Sequence, residues 1–288
     1  MLMARRSPAD LPAPETARPT LDLSGPALAS GLETLVASSK EAGGIEVYIE
    51  GIKLKTAAFQ RTLGDGKAAE LDEDTFKALC AFVAPVRRRI GPRLEEYGFP
   101  AIREAVTALL DGASDTATAD ARLDGFCGRF PQDKQHRWVR DLATELLHYT
   151  DPERYPLMCR WVWDARANTG VLREIWHGDN VDHMVIDVPD GYQTFLVLRE
   201  ELSQFLTENG VFRDVTFYVD LLCAQVYAGY ITSQGGSYLR ADFSSPEDPL
   251  LYTRRLLGLD GINTQTGRSR FKAVDGGRPV LDDVKLLN

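Results

Sequence analysis

The densest run of groups able to do chemistry is Trp176–Asp187, WHGDNVDHMVID. It brings His177, Asp179, Asp182, His183 and Asp187 into twelve residues and holds two of the four histidines. Imidazole and carboxylate are the donors that zinc, manganese and iron accept. Gly178 and Asn180 allow a tight turn, so the two histidines could converge on one ion. His177, Asp179, Asp182 and His183 are therefore a candidate site for a divalent metal or for acid–base work. The competing reading is structural: Asp and Asn fix turns, and His side chains cap neighbouring helices.

Two further segments carry candidate binding groups. Thr264–Lys272, TQTGRSRFK, offers Arg268, Arg270 and Lys272. In an extended chain the three cations project on one face, which suits a phosphate or carboxylate. Leu146–Arg173 holds Trp161 and Trp163. Read as a helix from Leu157 to Asn168, it cannot turn both indoles to one side, so one of them is a candidate for partner contact.

Two faint family resemblances attach to these segments. His177-Gly178-Asp179-Asn180, followed by Ile186-Asp187, resembles the catalytic loop of aminoglycoside-type phosphotransferases. That resemblance implies an N-terminal β-lobe with a nucleotide-binding lysine, and nothing in the N-terminal sequence matches one. The step from the helix ending at His148 to the helix opening at Pro156 resembles helix-hairpin-helix DNA glycosylases and restriction-associated proteins. It implies a reacting aspartate on the second helix, matched by Asp164. A glycine-rich hairpin loop and a lysine nucleophile are missing from their expected places. No GxSxG, P-loop, GxGxxG or Ser-x-x-Lys occurs in a fitting context.

The elements that must position these groups read as mainly helical. Helical stripes run over 26–40, 72–90, 100–110, 121–130, 133–148, 157–168, 191–208, 214–231 and 249–257. Pro85 should break the second, and three arginines, Arg87, Arg88 and Arg89, follow it. The stretch 214–231 is apolar nearly all round, yet Asp220 and Gln225 interrupt it, so a buried core helix is expected rather than a membrane span. Short strands or hairpins are expected near 45–54, 184–188 and 271–281, the last around Asp275-Gly276-Gly277. The fold class is a multi-helix body with a small β component. Residues 1–22 read as a flexible leader, 23–112 as an N-terminal α+β part and 121–288 as a helical C-terminal part, with 113–119 as a polar linker.

Composition bounds the function. The chain has 288 residues, 44% hydrophobic and 26% charged, which suits a globular protein. Its formal charge of −9 argues against nucleic acid or an anionic membrane as the main partner, so any phosphate-binding footprint must be local. Four cysteines without a CxxC pair read as small buried hydrophobes in a reducing, bacterial cytoplasm. The expected function is a cytoplasmic accessory protein that acts through a protein partner. The alternatives are an acid–base or metal enzyme at His177–His183 and a helix-hairpin-helix-like protein acting on nucleic acid.

Overall fold

The computed structural model describes residues 18–40, 43–178, 180–234, 250–260, 262–263 and 268–269. The chain is mostly helical, 64% helix with 11 α-helices among the described residues. They are α1 (Gly25–Ser39), α2 (Glu46–Leu63), α3 (Glu73–Ala81), α4 (Ile90–Tyr97), α5 (Phe99–Leu110), α6 (Ala119–Cys127), α7 (Trp138–Thr150), α8 (Val171–Glu174), α9 (Tyr192–Glu208), α10 (Val215–Gln234) and α11 (Leu251–Leu256). Two two-residue strands, β1 (Ile262–Asn263) and β2 (Arg268–Ser269), pair antiparallel with Ile262 opposite Ser269.

The strand expected near 45–54 is helix α2 instead. Ile45, Val47 and Ile49 alternate over only five residues. The longer window carries Tyr48, Ile52, Lys55, Thr56, Phe59 and Leu63, all buried and all at helical spacing. A period held over 18 residues outweighs an alternation over five. Residues 184–188 form no strand, and 271–281 lies outside the described residues. Pro85 does break the helix: α3 stops at Ala81, and turns carry the chain through Arg89 to α4.

The helix expected over 157–168 is also absent. This stretch is a loop folded back on itself. Asp164 and Thr169 bridge, Asn168 sits at φ 51°, and the N–H groups of Val171 and Leu172 donate to the carbonyls of Trp161 and Val162 at 3.0 and 3.1 Å. Gly170 makes this possible. It holds φ 128°, and a Cβ there would lie 2.7 Å from the Val162 carbonyl oxygen. The β-branched and aromatic run Trp161-Val162-Trp163 favours extended backbone, and tertiary closure decides the outcome.

Helix α10 runs through the centre and meets α1, α2, α8, α9 and α11. From Val219 to Gln225 every residue is buried, Asp220 and Gln225 included, as a helix apolar on nearly all sides requires. Gly31 lets α1 approach closely, because a Cβ there would lie 3.0 Å from Val226. One contiguous core takes in side chains from Leu28 to Leu259. No described helix is long and apolar enough to cross a membrane.

Candidate binding face and the polar spine behind it

Helix α7 is buried on nearly every side, including its charged side. Asp141, Glu145 and His148 stand at i, i+4 and i+7, so they form one stripe along the helix. Each reaches a different element. Asp141 Oδ2 accepts from Arg160 Nη2 at 2.8 Å and Asp141 Oδ1 from the Arg160 backbone N–H at 3.1 Å. Glu145 accepts from Lys55 Nζ of α2 at 2.6 Å. His148 Nε2 meets Asp220 Oδ2 of α10 at 3.0 Å. The stripe thus ties the 157–169 loop, α2 and α10 to one helix.

Lys55 is fully buried and fully satisfied. Its other two ammonium protons go to the carbonyls of Phe82 and Leu257, both at 2.9 Å. Those carbonyls belong to the C-terminal ends of α3 and α11, where the helix dipoles are negative. The ammonium also lies 3.8 Å from the centre of the Tyr149 ring. Burial pushes the Lys55 amine down and the Glu145 carboxyl up, while each partner opposes the other's shift. With all three protons engaged, Lys55 has no donor left for chemistry and acts as a structural clamp.

The His148 imidazole is the nearest thing to an acid–base group in the core. Its Nδ1 lies 2.7 Å from the Tyr155 carbonyl oxygen, which can only accept, so Nδ1 carries a proton. Its Nε2 faces the Asp220 carboxylate. Asp220 lines a small cleft with Arg199, Phe195, Leu157 and Cys223. The cleft has room for one water.

Of the four sequence-derived metal candidates, the side chains of His177 and His183 are described. His177 is exposed and its Nδ1 faces Asp22 at 3.6 Å, while its backbone N–H donates to the Asp22 carbonyl. His183 is exposed at the end of a 3-10 turn, Val181–His183, which also contains Asp182. Asp179 lies outside the described residues. Among the described residues no group of three or more His, Cys, Asp or Glu is placed to hold a metal ion. Arg268 lies in β2, and Arg270 and Lys272 lie outside the described residues.

The loop after α8 is built to stay put. Asn168 Nδ2 donates to the Met184 carbonyl at 3.0 Å and Asn168 Oδ1 accepts from the Ile186 N–H at 3.1 Å. Arg173 donates to the carbonyls of Met184 and Val181. Ile186 and Val188 turn inward, whereas Val185 stands 77% exposed.

The two tryptophans part company. Trp163 is fully buried and its indole N–H donates to the Val188 carbonyl at 3.0 Å. Trp161 is half-buried and begins a row of rings on the protein's side. Its centre lies 6.0 Å from that of Tyr227, which lies 5.7 Å from Tyr230. Tyr227 and Tyr230, at i and i+3 on α10, are half-buried too. Burial pushes the Tyr227 phenol up, and the neighbouring Arg160 opposes this. Arg160 Nε is buried without a hydrogen-bond partner among the described residues. The row is positioned by the Asp141–Arg160 clamp on one side and by α10 on the other. Sequence reasoning offered Trp161 and Trp163 as candidates; the ring contacts add Tyr227 and Tyr230, whose i, i+3 spacing near the end of an apolar helix was the available signal.

The resemblances noted from sequence acquire no structural footing. Asp164 sits in a turn, where its carboxylate accepts from the Ala167 N–H at 2.9 Å, not on a second helix. The described N-terminal region is helical, with no β-lobe. Comparison with known proteins finds no matching family model, no matching curated protein and no matching solved structure.

Proposed function

We propose that this chain is an accessory protein that holds a protein partner on the Trp161–Tyr227–Tyr230 face. The observation that carries the reading is that row of three half-buried rings at the surface. Tryptophan and tyrosine dominate the energetics of protein interfaces because they bury large area at little entropic cost. The supporting loop and helix are clamped, so binding does not spend free energy on ordering them. The buried carboxylates, imidazole and ammonium behind the face are engaged with one another, which suits a scaffold better than a reacting site.

The test compares tagged wild type with a Trp161→Ala/Tyr230→Ala variant. With a purified partner, the double variant is expected to lose about 2 kcal/mol or more of binding, roughly thirtyfold in Kd. Its thermal unfolding should stay cooperative, since both rings are only half-buried. Unchanged affinity would remove this face from the account.

A further inference from the structure

We infer that the turn after α3 and the turn before α7 together form a phosphate-binding patch for the backbone of a nucleic acid. The two turns touch where Arg89 Nη1 lies 3.4 Å from the Gln135 carbonyl oxygen. Arg88 and Arg89 stand on one side of that contact, and Lys134 and Arg137 on the other. All four side chains belong to exposed residues. None of the four forms an ion pair among the described residues, whereas Arg87 beside them is held by Asp260 through two hydrogen bonds of 2.8 and 2.9 Å. Asp133, next to Lys134 in the same turn, is already engaged with the His136 ring and with two backbone N–H groups.

Four cations that form no ion pair among the described residues and flank one contact between two turns are notable in a chain of net charge −9 with 42 acidic residues. Three of the four are arginines, whose planar forks match phosphate oxygens. A protein partner would also need an apolar anchor at the centre of the contact. Among the described residues the exposed large hydrophobic ones, Val36, Met184, Val185 and Phe212, all lie in other segments. A phosphate backbone needs no such anchor, so the patch fits a nucleic-acid strand better than an acidic peptide. Recognition there is independent of base sequence.

The experiment uses the full chain and a fluorescein-labelled 30-base-pair duplex, titrated at 50 and 200 mM salt. Four phosphate contacts predict an affinity about a hundredfold lower at the higher salt. Arg88→Glu/Arg89→Glu and, separately, Lys134→Glu/Arg137→Glu should each weaken binding at least tenfold and flatten the salt dependence. Arg166→Glu, an exposed cation elsewhere, should leave binding unchanged. The proposal is overturned if the duplex does not bind at 50 mM salt. It is equally overturned if both double variants bind like wild type, or if poly-glutamate competes as well as unlabelled duplex. The substitutions leave Trp161 and Tyr230 intact, so this result is independent of the partner-binding test.

Discussion

At the scale of single residues, the structure turns on charges that meet inside the protein. Lys55 and Glu145 are stable there only together. Lys55→Met should cost about 3–5 kcal/mol in chemical denaturation, because it strands a buried carboxylate. Adding Glu145→Leu should recover most of that loss, and a double variant no more stable than the single would contradict the clamp. Asp72 offers a second check. It caps α3 through the Thr75 N–H at 2.8 Å, and that bond together with the Thr75 hydroxyl holds its carboxyl below the usual aspartate value. A depressed carboxyl contributes stability above its unfolded value and loses it as pH falls through the folded one. Asp72→Ala should therefore cost about 1 kcal/mol at pH 7. The difference from wild type should shrink as pH falls below the usual aspartate value. The cysteines belong to this scale too. Burial raises all four thiols, Cys127 to about 11. A thiol reagent at pH 8 should modify half-buried Cys127 first and slowly, and Cys80, Cys159 and Cys223 only on unfolding.

At the scale of elements, helix α7 organises the molecule, and its role shows what sequence could and could not reveal. Its apolar face, from Trp138 through Leu147, is plain from helical spacing. The opposite stripe of Asp141, Glu145 and His148 looks like a solvated face, and is instead buried against Arg160, Lys55 and Asp220. Those partners lie 19, 90 and 72 residues away, so no local pattern announces them. The same limit explains α2, where five alternating residues suggested a strand, and the 157–169 loop, where closure against α8 overrode a helical reading. The long helices α9 and α10 were legible because hydrophobic spacing alone decides them. Trp161 was legible as a candidate and its tyrosine neighbours were not, since their meeting depends on that loop's fold. Element junctions give their own prediction. Gly258 holds φ 70°, and a Cβ there would lie 1.7 Å from the Phe82 carbonyl oxygen. Gly258→Ala should push the end of α11 off the Lys55 clamp and lower stability by more than about 1 kcal/mol, read by denaturant midpoint. A neutral result would mean that this junction is loose.

At the scale of the whole molecule, a helical body carries two outward features of different chemistry: a row of aromatic rings around Trp161 and a cluster of cations around Arg89. Neither needs a reacting group, and the interior ionisable residues are engaged in holding elements together. That division supports a protein that brings other molecules to one place. The most direct test is affinity purification of the tagged wild type and of Trp161→Ala/Tyr230→Ala from the source organism, compared by quantitative mass spectrometry. The account predicts a protein that co-purifies near one-to-one with wild type and is lost from the variant while the variant stays folded. A wild-type chain that arrives alone, or a partner retained equally by the variant, would contradict it.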